Sequence, residues 1–361
     1  MKFIAYISLL LLGYSIIINK AIKNYTLFNL PLIVFLFSVL FSIIPAYISW
    51  GQNPLTSFVS IVPYITYILY FYLLKKNVED RSLENIVIFI GITTMLIYTT
   101  ALLSLPNIIF GNIEYESIKI DRGFPRILIG GLGFIYLSYF ITFTKFRDER
   151  ELKFLLLSLV FFIGICLTLT RQIIFPCLVI SFLILFKDST LFKKVVFIII
   201  GTIIFYFFLQ LDFVQLLLIK TEQQTDDYES DLRVLAAEYY LFDFSPDLLT
   251  SIFGNGEAVI GKSSFGNKYE YIKSELKFYQ SDVGLVGLYS KFGLFSVLSW
   301  ILLFIRVFKS KYSPSGKYIK PFFLLLLVTS FTSSIIYHFN YIATVAIAIY
   351  LAEIKRIKQI R

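Results

Sequence analysis

Residues 212–281 have the sequence DFVQLLLIKTEQQTDDYESDLRVLAAEYYLFDFSPDLLTSIFGNGEAVIGKSSFGNKYEYIKSELKFYQS. This stretch of about 70 residues is polar and charged, whereas the segments on both sides are apolar and long enough to cross a bilayer. A polar insert of this length cannot lie in hydrocarbon, because its backbone groups would find no hydrogen-bond partners there. We therefore predict that residues 212–281 form an extramembrane lobe, and that the remaining chain is a membrane frame that positions it.

The composition of the 361-residue chain is that of a polytopic α-helical membrane protein. Hydrophobic residues make up 57% of the sequence, and only 16% is charged, against roughly 25% in soluble domains. The apolar runs are continuous rather than alternating, which disfavours a β-barrel. They predict about 11 membrane helices. The predicted spans are residues 3–19, 28–49, 58–74, 86–105, 127–144, 154–169, 173–186, 195–211, 283–308, 321–337 and 341–354.

The distribution of basic residues orients the frame. Clusters of Lys and Arg begin at Lys145, Lys187, Arg306 and Lys355. The predicted span count places all four on one side of the membrane. This side is predicted to be cytoplasmic, because loops on that face carry an excess of basic residues. The lobe and the loop at 106–126 then face outward, and the C-terminal basic tail is cytoplasmic.

The predicted domains are an N-terminal membrane bundle at 1–211, the lobe at 212–281, and C-terminal membrane helices with the tail at 282–361. The net charge of +9 fits this bias, or an anionic substrate on the outer face.

Arg171 is the most informative single residue. Residues 154–186 predict a helical hairpin with Thr168–Gln172 at its turn, and each half spans about 25 Å at 1.5 Å per residue. Arg171 is therefore expected at or just below the outer interface, where an ionisable group is costly and usually functional. A snorkelling arginine that anchors a helix end is the alternative. Residues 321–354 predict a similar hairpin with His338, a candidate substrate contact, at its tip.

The lobe contains one clear helical pattern and two weaker motifs. An apolar face of Leu232, Leu235, Ala236 and Tyr239 predicts a helix whose Arg233 points elsewhere. Gly254 and Gly256 allow a tight turn or a close backbone approach to a ligand. Further candidate contacts for an anionic ligand are Lys273 and Lys277 in the lobe and Arg122 and Arg126 in the outer loop, although a solvated surface explains these as well.

The span at 283–308 opens with Ser281-Asp282-Val283-Gly284. Asp282 could cap this helix, act as a general base, or do both. The chain contains a single histidine and only two cysteines, which excludes a multi-histidine metal centre. It has no Walker-type phosphate loop, so an ATP-driven pump is disfavoured and no cofactor is expected.

Between about residues 155 and 305, the order of these motifs resembles that of the O-antigen polymerase and ligase superfamily. The motifs are the Thr-Arg break, the Asp-Leu-Arg helix at 231–233, Phe-Gly-Asn-Gly at 253–256, Ser-Asp-Val-Gly-Leu-Val-Gly at 281–287, and Phe-Gly at 292–293. The resemblance implies about 12 helices in a GT-C-like fold with a large outer loop. It also implies an inverting, metal-independent glycan transfer from undecaprenyl diphosphate to a hydroxyl, with the family's two arginines at Arg171 and Arg233. Ligases carry a His-Asn pair where this chain has Ser281-Asp282, which favours a polymerase.

The expected function is therefore repeat-unit polymerisation of an O-antigen, capsule or exopolysaccharide at the outer face of a bacterial inner membrane. The expected partners are undecaprenyl-diphosphate-linked oligosaccharides as donor and acceptor, membrane lipid and a chain-length regulator, without nucleic acid. A ligase of the same superfamily and a lipid-linked oligosaccharide flippase or transporter are the alternatives. A flippase is expected to place charges along a central cavity, whereas the sequence suggests that membrane-embedded charge is nearly confined to Arg171.

Overall fold

The computed structural model describes residues 26–104, 112–113, 127–128, 130–187 and 229–360. In this part the regular secondary structure is helical apart from a short antiparallel pairing of β1 (Asn112–Ile113) with β2 (Ile127–Leu128). The helices are α1 (Asn29–Phe41), α2 (Ile43–Ile48), α3 (Pro54–Ile65), α4 (Ile68–Lys76), α5 (Asp80–Leu103), α6 (Leu132–Glu149), α7 (Leu152–Leu167), α8 (Arg171–Lys187), α9 (Glu229–Glu238), α10 (Leu248–Phe253), α11 (Ser264–Ser274), α12 (Gly284–Lys309), α13 (Ile319–Thr329) and α14 (Phe339–Ile360).

Several of these helices are suited to a bilayer, which confirms the prediction of an α-helical membrane protein. Asn29–Ile48, Asp80–Leu103 and Gln280–Lys309 are each long and apolar enough to cross it. The pair α3 and α4 makes a fourth candidate if it forms one span bent by 47°, and α7 and α8 are apolar but shorter. The predicted spans at 3–19 and 195–211 lie outside the described residues, so the total of 11 to 12 helices stays a prediction.

Two predicted spans are shorter than the sequence suggests. In the span predicted at 127–144, residues Ile127–Leu128 form β2 and the helix starts only at Leu132. In the span predicted at 321–337, α13 ends at Thr329, and turns connect it to α14. Neither connection contains Asp, Glu, Lys or Arg, and for this reason the hydropathy pattern did not reveal the helix ends.

The contacts divide the chain into two compact units. The first unit comprises residues 1–87 and 233–361, and the second comprises residues 88–232. In the first unit, α12 packs on α1, and Phe35 of α1 makes edge contacts with Tyr67, Phe292 and Trp300. The predicted domain limits follow membrane topology rather than these contacts, and they stay a prediction.

In the second unit, α7 and α8 form the hairpin that the sequence predicts. Only residues 168–170 separate the two helices, and Leu169 takes a left-handed conformation with φ of 53°. Arg171 is therefore the first residue of α8 and is half-buried. The break that the sequence places at Thr168–Gln172 is confirmed.

The described part of the lobe has its own small hydrophobic core. Its buried residues are Ala236, Tyr240, Phe244, Phe265 and Ile272. Val283, which follows the lobe in the chain, belongs to the same buried cluster, and Trp50 packs against it from outside the lobe. Arg233 is exposed, as predicted, but Leu235 is 41% exposed and does not belong to the buried face. After Glu238 the helix widens into a π-turn at Tyr239–Asp243, which rotates the buried face toward Tyr240 and Phe244.

Candidate functional site

The centre of the candidate site is a joint between the turn at 253–256 and a break in α12. Gly254 (φ 85°) and Gly293 (φ 76°) both have backbone conformations that favour glycine. A Cβ at Gly254 would lie 2.3 Å from the carbonyl oxygen of Lys291, and one at Gly293 would lie 2.2 Å from that of Ile252. The two backbones therefore touch, and the two glycine motifs, far apart in the sequence, meet at one place.

Hydrogen bonds fasten this joint. The Asn255 backbone N–H donates to the Ser290 carbonyl at 3.0 Å, and the Gly256 N–H donates to the Lys291 carbonyl at 2.8 Å. The buried Asn255 amide also donates to Ser245 and to the Ser290 carbonyl, and its oxygen accepts from Trp50 Nε1 at 2.8 Å. Gly254 and Gly256 are themselves buried, so they hold the turn on α12 in this structure.

Next to the joint lies a partly buried ion pair. Lys291 Nζ is 2.8 Å from Glu257 Oε1 and 2.6 Å from Oε2, and the Tyr64 hydroxyl donates to Oε2 at 2.6 Å. The Lys291 and Glu257 side chains are 11% and 24% exposed. Pro63, inside α3, removes one backbone donor just before Tyr64, and α3 ends at Ile65. Helix α3, the chain just after the turn at 253–256, and α12 thus contribute Tyr64, Glu257 and Lys291, in that order.

Sequence reasoning did not single out Lys291, Glu257 or Tyr64. Glu257 directly follows Phe-Gly-Asn-Gly, and Lys291 directly precedes Phe-Gly, so proximity to the two motifs was an available signal. Lys291 lies within the candidate span Gln280–Lys309 and is only 9% exposed. The interpretation that embedded charge is nearly confined to Arg171 was therefore wrong.

Asp282 lies on a short 3-10 segment, Gln280–Val283, just ahead of α12. The cap of α12 is Val283 and no side chain caps the helix, so the interpretation of Asp282 as an N-cap is wrong. Asp282 is half-buried, and among the described residues its carboxylate accepts only from the Ser281 hydroxyl, at 3.0 Å. The Tyr337 hydroxyl holds the segment by donating to the carbonyls of Gln280 and Gly284 at 2.9 and 3.1 Å.

Tyr269 of α11 belongs to the same polar region. Burial, then Glu257 and then Asp282 raise the pKa of Tyr269 well above its usual value. A tyrosine hydroxyl is protonated at neutral pH in any case, and burial and the two carboxylates oppose its ionisation further. The arrangement combines a positioned carboxylate at Asp282, a neutral hydroxyl and a fixed ion pair, which suits the binding and deprotonation of a ligand hydroxyl.

The structure places the remaining predicted lobe residues at the surface. Arg233, Lys273 and Lys277 are all exposed. The Lys273 ammonium lies 5.7 Å from the ring centroid of Tyr279, and Lys277 adopts a left-handed conformation with φ of 58°. These three cations are accessible to a ligand, and no contact joins them to Asp282.

The other predicted residues lie elsewhere. His338 is half-buried, its ring stacks on Phe339 at 4.4 Å, and its Nδ1 accepts from the Asn340 backbone at 3.3 Å. Arg171 belongs to the second unit, whereas Arg233 belongs to the first, and their joint action on a diphosphate stays a prediction. Arg122 and Arg126 lie outside the described residues.

A second buried charge cluster lies beyond the other end of α12. Lys355 Nζ contacts Asp80 at 2.6 Å and Glu84 at 2.8 Å, and the Tyr318 hydroxyl donates to Glu84 at 2.9 Å. Lys355 is 2% exposed and lies within α14. The basic tail predicted from Lys355 onward is therefore helical up to Ile360, and Lys355 itself is a buried partner of α5 rather than a solvated charge.

Comparison with known proteins adds no assignment, because the chain matches no family model and no curated protein.

Proposed function

We propose that this protein is a membrane glycosyltransferase that polymerises oligosaccharide repeat units carried on undecaprenyl diphosphate. The observation that carries the proposal is the meeting of separate motifs. The Phe253–Gly256 turn and the Gly293 break form one joint. The segment with Asp282 leads into the same helix, α12. These are the motifs on which the resemblance to the O-antigen polymerase and ligase superfamily rests.

In the proposed reaction, Asp282 removes the proton from an acceptor sugar hydroxyl as that oxygen bonds to the anomeric carbon of the donor. The bond from that carbon to the diphosphate oxygen breaks, and its electron pair leaves with the diphosphate. Arg171 and Arg233 are the proposed partners of the developing phosphate charge, since guanidinium groups bind phosphate oxygens bidentately. The reaction needs no metal or nucleotide in this scheme.

Asp282 is a better candidate for the base than Glu257. Both Glu257 oxygens already bind Lys291, and one also accepts from Tyr64. These contacts already engage both oxygens of the Glu257 carboxylate. Asp282 has a single hydrogen bond, from Ser281, within the described part of the chain. The carboxylate at Asp282 is therefore the one open to an acceptor.

A transporter of lipid-linked oligosaccharide is the second candidate, and the Lys291–Glu257 pair favours it. Ionisable groups within membrane helices often mark ion or substrate pathways. The polymerase, flippase and ligase functions leave different products when they are lost. Loss of a polymerase leaves single units on the outer leaflet or capped at the surface, loss of a flippase leaves them on the cytoplasmic leaflet, and loss of a ligase leaves long chains on the carrier.

The test is Asp282→Asn, with Glu275→Gln at an exposed lobe position as the matched control. Loss of a general base lowers rates by roughly 100-fold or more. We expect Asp282→Asn cells to lose the polymer ladder on gels at an unchanged protein level, with single repeat units detected by outer-leaflet glycan labelling, while Glu275→Gln cells keep the ladder. A normal ladder from Asp282→Asn would contradict the proposed role, and single units confined to the cytoplasmic leaflet would favour the transporter.

A further inference from the structure

One side chain holds both ends of the segment that carries Asp282. The Tyr337 hydroxyl donates to the carbonyl oxygens of Gln280 and Gly284, which lie 2.9 and 3.1 Å away. These two carbonyls flank Asp282, two residues before it and two after it. Tyr337 belongs to the connection between α13 and α14 and is only 2% exposed. The buried phenol therefore acts on the backbone at both sides of Asp282.

Glycine is required where this connection meets the start of α12. A Cβ at Gly287 would lie 2.5 Å from the Tyr337 hydroxyl, and one at Gly284 would lie 2.0 Å from the Ser330 carbonyl oxygen. That carbonyl accepts from the Leu285 backbone N–H at 2.8 Å. The two glycines of the motif at 281–287 thus allow the connection between α13 and α14 to lie directly against the first turn of α12.

A second contact ties the same segment to the joint with the turn at 253–256. The Gln280 side-chain amide donates to the Ser290 hydroxyl at 2.9 Å. The Ser290 carbonyl in turn accepts from the backbone and the side-chain amide of Asn255. Gln280 is 3% exposed and Ser290 is fully buried. Buried hydrogen bonds on two sides therefore fix the backbone that carries the half-buried Asp282.

We propose that Tyr337 is a positioning residue for the Asp282 carboxylate, and that the bond from Gln280 to Ser290 is its second support. This inference rests on the proposed function, in which Asp282 takes the proton of the acceptor hydroxyl. Proton transfer needs the two oxygens about 2.6–3.2 Å apart. A displacement of about 1 Å can lower a rate about 100-fold. Asp282 lies on a 3-10 segment of 4 residues, which is too short to hold its own orientation. Its neighbours therefore supply the restraint.

The first test measures the mobility of the segment itself. A nitroxide is attached to Ser281→Cys, an exposed position, in a background without the two native cysteines. We expect Tyr337→Phe to sharpen the electron paramagnetic resonance spectrum, because the segment loses both bonds to the hydroxyl. The matched control is Tyr350→Phe, which removes a buried hydroxyl that donates to the Val78 carbonyl, and it should leave the spectrum unchanged. An unchanged spectrum in Tyr337→Phe would overturn the proposal.

The second test asks whether Tyr337 acts through Asp282. Purified protein in lipid nanodiscs receives lipid-linked repeat units extracted from cells that lack it, and the initial rate of polymer formation is measured against their concentration. We expect Tyr337→Phe to lower kcat roughly 10- to 100-fold with an unchanged KM, since the buried hydroxyl does not contact the substrate. The same substitution should cause no further loss in the Asp282→Asn background. Tyr350→Phe should keep the rate of the unmodified protein.

The outcomes separate this inference from the polymerase proposal. Losses that multiply in the double variant, or a raised KM with an unchanged kcat, would overturn the positioning role and leave the polymerase function standing. No polymer from the unmodified protein would reject the polymerase function, and the spectra would still decide whether Tyr337 holds the segment. If Tyr337→Phe does not fold, as judged by size-exclusion chromatography, Gln280→Met removes the second support and is judged by the same two measurements.

Discussion

At the scale of single residues, the Lys291–Glu257 pair is the contact whose loss should matter most. Moving two charges out of water costs free energy, which close contacts only partly recover. Here three contacts of 2.6–2.8 Å engage both carboxylate oxygens. The pair is therefore a specific feature of the fold rather than a large net source of stability, and removal of one partner leaves the other charge without compensation.

Lys291→Met should lower the free energy of unfolding by about 3 kcal/mol, because it leaves the partly buried Glu257 carboxylate without its cationic partner. The double variant Lys291→Met with Glu257→Gln should recover most of that loss, because no buried charge remains. Thermal unfolding in detergent measures both. Lys262→Met, at an exposed lobe position, is the control and should change little. A double variant as unstable as the single one would mean that the loss of stability in Lys291→Met comes from lost packing around the lysine stem rather than from charge.

At the scale of elements, the joint between the Gly254 turn and the Gly293 break sets the path of the chain into the lobe. Apolar periodicity predicts α12 as one continuous span, and the structure interrupts it at Gly293 with ψ of −177°. The Phe-Gly pair at 292–293 indicates this break, but the residue that packs against Gly293, Gly254, lies in a turn far away in the sequence. Sequence reasoning from local spacing identifies the two glycine motifs separately and has no means to pair them.

Gly254→Ala should be far more destabilising than Gly261→Ala. Both glycines have positive φ, 85° and 72°, so both variants incur backbone strain, and the ψ of 164° at Gly254 places that residue in a region open essentially to glycine alone. A Cβ at Gly261 meets nothing within 4 Å, whereas one at Gly254 meets the backbone at 2.3 Å. The clash should add a further 1–3 kcal/mol or so. Denaturation monitored by tryptophan fluorescence measures the free energy of unfolding of both variants. Equal losses of stability would show that the close backbone approach at Gly254 adds nothing to the cost of the substitution.

At the scale of the whole molecule, apolar runs predicted most of the described membrane helices. The bent pair α3 and α4, the hairpin at Arg171 and the long α12 all lie where hydropathy placed spans. The ion pairs did not follow from the sequence. Lys355 appeared to be part of a basic tail because its partners, Asp80 and Glu84, are more than 250 residues away. Pairing across such separations is decided by tertiary packing, which leaves no local pattern.

The predicted orientation can be tested with two single cysteines in a background that lacks Cys166 and Cys177. Lys262→Cys lies on the exposed lobe surface, and Lys309→Cys lies at the far end of α12. We expect an impermeant maleimide to label Lys262→Cys in intact spheroplasts and Lys309→Cys only after lysis, because the basic loops are expected inside. The reverse pattern would invert the topology and place the candidate site in the cytoplasm.

The break in α12 also has a mechanical consequence. Membrane helices tilt when the bilayer becomes thinner or thicker. The residues of α12 before Gly293 are bonded to the lobe through Ser290 and Lys291, whereas the residues after it form a separate helical stretch up to Lys309. A hinge at this point would let the longer stretch follow changes in bilayer thickness while Asp282 keeps its distance from the lobe. Such a site would hold its geometry in membranes of different lipid composition.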